Sequence, residues 1–228
     1  MTAASTRRRR SDAGVVAVTE RDVRALGFVG EQYAVRDDLL EVVLARLAPA
    51  GLVPAAELSR RTARGWLDRM TRAGYLSRQR LLGRTWAVAT ERGLRVAGLP
   101  YEPWQPNAWQ LAHRHAVAVV RLALEAAHPG VAWTGERAIR SHWHGSGARV
   151  RYADGALAFR TGRVGVEVEL SRKAAGRYES IVRDVDTSFA EVWWFTPPGD
   201  VAWLRQVLAA ASRGGPVHRV AELPGELT

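Results

Sequence analysis

Apolar residues recur every three or four positions over residues 37–47, where Leu39, Leu40, Val43, Leu44 and Leu47 form one stripe, and that period predicts a helix ended by Pro49 and Gly51. Upstream, Thr19-Glu20-Arg21-Asp22 sets a hydroxyl and a carboxylate three residues apart, the spacing of a capping box, so a helix is expected from there, with Val23, Leu26, Gly27 and Gly30 on its packing face. The Tyr33-Ala34-Val35 stretch reads as a break after it. A third helix is expected from residue 55 or 56 to 73, with Leu58, Ala63, Trp66, Leu67 and Met70 inward and Gly74 closing it, because glycine tolerates the left-handed conformation after a helix end. Extended runs at 76–80 and 84–89 flank Leu81-Leu82-Gly83 and predict a small hairpin, after which Thr90-Glu91-Arg92-Gly93 reads as a closing turn. Helices followed by a hairpin in this order predict a winged helix-turn-helix.

Pro100, Pro103 and Pro106 interrupt the pattern, and a second block follows. Leu111, Val117, Val120, Leu122 and Leu124 predict a buried helix up to Ala127. Strands are expected at 131–133, 150–159, 164–170, 192–195 and 217–223, with helices at 173–189 and 201–211. A helix between two strands implies a right-handed crossover, so the sheet should be mixed. The expectation is an α+β chain of two domains: a basic flexible arm over 1–18, a winged helix-turn-helix over 19–99, and an α/β domain over 107–228.

Charge sharpens the picture of the first block. The chain carries a formal net charge of +10 with a pI near 11.1, which favours a polyanionic partner. Nearly all of that charge is arginine, Lys173 being the single lysine, so arginine abundance by itself reflects a composition bias. Its distribution is more telling. Between residues 60 and 95 ten arginines face two acids, Asp68 and Glu91. A recognition helix needs side chains that reach base edges, and the guanidinium fork can bond guanine O6 and N7 together. Arg60, Arg61 and Arg64 are the base-reading candidates, with Arg69 and Arg72 on the same helix, while Arg78, Arg80 and Arg84 on the hairpin would meet phosphates or the minor groove. Double-stranded DNA is the expected partner. Arg7 to Arg10 lie in the arm, where a solvated tail is an equally good reading.

The second block carries acids at a spacing that suggests chemistry. Tyr152-Ala153-Asp154-Gly155 is followed by Glu167-Val168-Glu169, and on a strand Glu167 and Glu169 share one face while Val166, Val168 and Leu170 take the other. Paired carboxylates repel unless a cation, an arginine or a proton compensates. Magnesium is one solution and would suit attack on a phosphodiester; an ion network with Arg151, Arg172 or Arg177 is another. Glu136 is a further candidate ligand, or a partner of nearby arginines.

Asp-Gly, a gap, and Glu-x-Glu leading into Leu170-Ser171-Arg172-Lys173 resemble the active-site hairpin of PD-(D/E)xK nuclease folds. Over residues 19–195 the chain resembles the actinobacterial replication-relaxation family, related to MobC-type plasmid mobilisation relaxases. The resemblance rests on the order of motifs: the winged helix, the helix containing His115, Trp133 with Glu136-Arg137, then Asp154-Gly155, Glu167-Val168-Glu169, and Lys173 with Arg177-Tyr178. It implies a restriction-endonuclease-like domain in which Asp154 and Glu167 hold Mg2+ and Glu169 or Lys173 assists DNA nicking. Glu169 stands where the nuclease lysine belongs and Ala153 replaces the motif proline, so a non-catalytic DNA-binding regulator or accessory factor with a degenerate nuclease-like dimerisation domain is the rival reading. A homodimer and contacts with other replication or mobilisation proteins belong to this picture.

Other signals are weaker. His142-Trp143-His144 matches the histidine core of HUH relaxases, but Gly145-Ser146-Gly147 follows and a loop is expected there, and Tyr178 is not set in the nucleophile pattern of those enzymes. His113 and His115, two apart on a helix, point in different directions. Trp66, Trp86, Trp193 and Trp194 are core candidates, while Trp104 and Trp109 are expected to seal the domain junction. Without cysteine there is no disulfide or thiolate metal site, and without a signal-like or spanning apolar run a cytoplasmic protein with no membrane partner is expected.

Overall fold

The computed structural model describes residues 17–47, 60–143, 153–186, 189–212 and 216–225. They form an α+β fold with eight α-helices, a three-stranded antiparallel sheet and a five-stranded mixed sheet. Among them no helix is long and apolar enough to cross a membrane.

Helix α1 (Glu20–Glu31) starts at the capping box, with Thr19 Oγ1 accepting from Asp22 N (3.2 Å) and Asp22 Oδ2 from Thr19 N (2.9 Å). Its packing face includes Gly30, where a Cβ would sit 2.5 Å from Leu99 Cδ1. The expected break at 33–35 is instead a turn at Tyr33 (φ 67°) leading into a short strand, β1 (Val35–Arg36), before α2 (Asp37–Arg46). Helix α3 (Arg60–Arg72) ends at Gly74 (φ 74°), and the part of the expected helix before residue 60 lies outside the described residues. Strands β2 (Leu76–Leu81) and β3 (Arg84–Ala89) pair through a two-residue turn in which Leu82 and Gly83 both have positive φ, the geometry of tight hairpins. What reads in sequence as a closing turn is a short helix, α4 (Glu91–Val96), because the Thr90 hydroxyl accepts from Gly93 N (3.1 Å) and caps it.

Helix α5 (Ala108–Ala127) is apolar on more than one side, and both sides are used. Ala118, Val119 and Leu122 join the core built by α1, α2 and α3, while Leu111 packs with Trp86 and Val88 of the hairpin. Val117, Val120 and Leu124 lie on Leu157, Val166, Val168 and Phe195 of the larger sheet. The proline segment therefore separates the two blocks along the chain, and α5 joins them in space.

The larger sheet runs β4 (Ala132–Gly135), β5 (Gly155–Phe159), β6 (Gly162–Val168), β7 (Glu191–Thr196) and β8 (Val217–Glu222), adjacent in that order. The first two pairings are antiparallel and the last two parallel, so the expected mixed sheet is present. The parallel crossovers are α7 (Ala175–Asp186) and α8 (Val201–Ala211), whose Tyr178, Ile181, Val182, Leu204 and Leu208 cover the face opposite α5 together with Val192, Trp194 and Val220. Between β4 and β5 the chain forms α6 (Glu136–Trp143), so His142 and Trp143 end a helix rather than lying in a loop; His144 is outside the described residues.

Candidate nucleic-acid interface and acidic cluster

Helix α3 turns Ala63, Trp66, Leu67 and Met70 into the core, which leaves its arginines on the remaining face. They do not all remain available. Arg69 donates to both oxygens of buried Asp22 (3.1 and 2.5 Å), and Trp66 Nε1 donates to the same carboxylate (2.8 Å), so this arginine ties α3 to the start of α1. Burial would push the Asp22 carboxyl up, but the bonds from Arg69, Thr19 and Trp66 outweigh it and hold the pKa at about 2. Arg78 pairs with Asp68, and Arg72 donates to the Asp68 carbonyl (3.3 Å). Arg92 donates to the Ala73 carbonyl (2.9 Å) and lies over the Tyr75 ring, and Arg95 pairs with Glu91.

Arg61, Arg64, Arg80 and Arg84 are exposed and form no ion pair among the described residues. Arg60 opens α3, but its side chain is outside what is described. Arg64 borders a hollow of about 260 Å³ between α2, α3 and the hairpin, where Asp37 and Glu41 also line the wall. Arg80 is paired across the hairpin with Thr85, and Arg84 with Leu81; these adjacent pairs project to opposite faces, so the two arginines flank the Leu82-Gly83 tip from either side.

The acids of the second block converge where β5 begins and β6 ends. Gly155 pairs with Val166, which sets Asp154 opposite Glu167. Asp154 Oδ2 accepts from Val168 N (2.8 Å), and Oδ1 lies 2.8 Å from His113 Nε2, reaching over from α5. Burial would raise the Asp154 pKa, but the His113 contact and the Val168 amide outweigh it and hold the carboxyl below the usual range. Burial likewise lowers the imidazole's affinity for a proton, while bonding to Asp154 more than restores it and the His113 pKa is raised.

Glu167 and Glu169 are 2% and 4% exposed, because the face they share is covered by α7 instead of opening to solvent. Glu169 pairs with Lys173, and its backbone N–H donates to the Phe195 carbonyl (2.8 Å). Tyr178 is fully buried beside them; burial first, then the charge of Glu169, pushes its phenol up to about 12. Glu136 pairs with Arg114 and Arg140 rather than joining the cluster. Arg137 donates to the carbonyls of Gly30 (2.7 Å) and Glu102 (2.5 Å) and lies between Tyr33 and Tyr101, so Glu136-Arg137 ties the two blocks together.

The expected Asp154, Glu167, Glu169 and Lys173 therefore lie together, and the sequence reading missed His113. The only signal was its position in an otherwise apolar helical stripe, which gives no hint of an acid 41 residues away. Both Asp154 oxygens meet polar partners and Glu169 pairs with Lys173, while among the described residues no group of three or more His, Cys, Asp or Glu is disposed to hold a metal ion.

No family model, curated protein or solved structure matches the chain.

Trp104 meets Tyr33 edge-on at the junction of the two blocks, as expected, but Trp109 is 92% exposed and seals nothing. In that first turn of α5 Leu111 is the residue that packs, against Trp86 and Val88.

Proposed function

We propose that the chain binds double-stranded DNA, with α3 in the major groove and the β2–β3 hairpin as a wing along the backbone. The observation that carries this reading is the sorting of arginines. Those with a structural task find carboxylates or carbonyls, while Arg61, Arg64, Arg80 and Arg84 are left to water on the helix and hairpin that a winged helix-turn-helix presents to a duplex. Desolvating an arginine already held by an acid gains little, so the open ones supply the phosphate and base contacts. Such a protein would serve replication or mobilisation of a plasmid-like element, the role that the resemblance to the replication-relaxation family implies.

In the α/β half, His113 pairs with Asp154 and Lys173 with Glu169, so two of the three carboxylates have a basic partner within the chain. This favours a non-catalytic accessory factor with a nuclease-like domain over a nickase. The opposed Asp154 and Glu167 keep the second reading in play, since in a nickase they would be the ligands of Mg2+. Fluorescence anisotropy with a labelled duplex tests the first claim: binding should be lost when Arg61 and Arg64 become glutamate while the circular dichroism spectrum is unchanged, and unaltered binding would overturn it. Supercoiled plasmid with Mg2+ or Mn2+ tests the second. An accessory factor leaves it intact at every protein concentration, whereas nicking abolished by Asp154→Ala would make the chain an enzyme.

A further inference from the structure

The β2–β3 hairpin is paired up to its last residues and then ends in a side chain that its turn does not favour. The ladder runs from Leu76 with Ala89 to Leu81 with Arg84, and at its end Trp86 Nε1 donates to the Leu81 carbonyl (3.2 Å) while Leu81 and Trp86 pack with Val88 and Leu111. Leu82 follows with φ 52° and is 65% exposed. A tight turn with two left-handed residues selects asparagine, aspartate or glycine at that position, because the conformation crowds Cβ against the backbone and only glycine or a short polar side chain offsets this. Among the described residues Tyr33 is the other non-glycine residue with positive φ, and its ring is engaged, edge-on to Trp104 and under the guanidinium groups of Arg114 and Arg137. Leu82 packs into none of the hydrophobic clusters of the described residues. A strained conformation kept without a packing gain points to a contact outside the fold.

Its neighbours decide what that contact is. Arg80 and Arg84, exposed and in no ion pair among the described residues, leave the hairpin on opposite faces just behind the tip. A partner that covers Leu82 must therefore meet a guanidinium on either side, and one leucine offers far less apolar area than a stable protein contact requires. The minor groove of a duplex meets both conditions. A phosphate backbone runs along each wall, and between the walls the bases present apolar faces wherever a step is opened.

We propose that Leu82 is a wedge carried by the wing into the minor groove, where it partly opens one base step and bends the duplex while Arg80 and Arg84 hold phosphates of the two strands. The proposal rests on the reading of the chain as a duplex-binding protein and adds deformation of the DNA to it. Steps of pyrimidine followed by purine open most readily, so they are the preference such a wedge imposes.

The test uses the full chain and a short duplex of mixed sequence with a donor and an acceptor dye at its ends, read for binding by anisotropy and for bending by energy transfer. The wild type should raise the transfer on binding, by the amount that a bend of about 20–90° gives. Leu82→Asn should still bind through its unchanged arginines but leave the transfer as in free DNA, and Leu82→Met, another side chain able to wedge, should keep the bend. Asparagine suits the left-handed turn, so the same variant should melt higher by about 2–4 °C, which separates loss of the wedge from loss of the wing. Duplex bound without a rise in transfer, a bend retained by Leu82→Asn, or a lower melting temperature in that variant, which would give Leu82 a task in the fold, would each overturn the proposal. A wild type that does not bind the duplex at all would overturn the duplex reading and the wedge together.

Discussion

Replacing Asp22 by asparagine should unfasten α3 from α1 with almost no change of shape. The carboxylate is 1% exposed and accepts from Thr19 N, Trp66 Nε1 and both terminal nitrogens of Arg69. Its pKa, lowered from 3.8 to about 2, means that the fold prefers the charged form by about 2 kcal/mol, since each unit is worth about 1.4 kcal/mol. Asparagine retains one acceptor oxygen but no charge for Arg69, whose side chain is 37% exposed and recovers part of its loss from water. The expected cost is about 2 kcal/mol, which at a urea slope of about 2 kcal/mol per molar moves the midpoint down by about 1 M. Because the folded pKa is depressed, the stabilisation is present above the usual carboxylate pKa of 3.8 and disappears as the pH falls through about 2. Urea melts followed by circular dichroism should therefore show the full difference between wild type and Asp22→Asn at neutral pH, and a shrinking one as the acid limb is entered. A difference below about 0.5 kcal/mol, or one independent of pH, would refute the assignment of Asp22 as the anion that fixes α3.

Gly93→Ala would drive a Cβ into the Tyr75 carbonyl oxygen and should cost about 1–3 kcal/mol in thermal or urea unfolding, whereas Gly65→Ala, with open space around it on α3, should gain about 0.5–1 kcal/mol. Lys173→Gln leaves Glu169 buried without its ammonium and should cost about 1–3 kcal/mol in the same melts; the Glu169→Gln/Lys173→Gln double variant should recover part of that, and additive losses would mean the pair is not coupled.

Local chemistry was the most legible part of the sequence. The Thr19/Asp22 capping box, the left-handed Gly74 and the bounds of α8 at Val201 and Ala211 are set by neighbours within a few residues, and the structure carries them as read. Helix α6 was missed because Ile139 is the one buried hydrophobic residue among its described side chains, too little for a periodic signal. The arginines illustrate the deeper limit. Sequence counts a local charge excess, but the anion that claims Arg69 lies 47 residues away, and only the fold brings it there. The acidic cluster divides in the same way: strand alternation puts Glu167 and Glu169 on one face, yet that this face is buried, and that His113 compensates Asp154, depends on packing by α7 and α5.

The salt dependence of duplex affinity measures the number of phosphates neutralised, at a slope of about −0.9 in log K against log salt for each. Substituting Arg61, Arg64, Arg80 and Arg84 together by glutamine should flatten that slope by about 3 to 4, while Arg69→Gln, which removes an arginine already committed to Asp22, should lower stability and leave the slope as it was. An unchanged slope in the fourfold variant, or an equal flattening in Arg69→Gln, would contradict a duplex held by the open arginines of α3 and its hairpin.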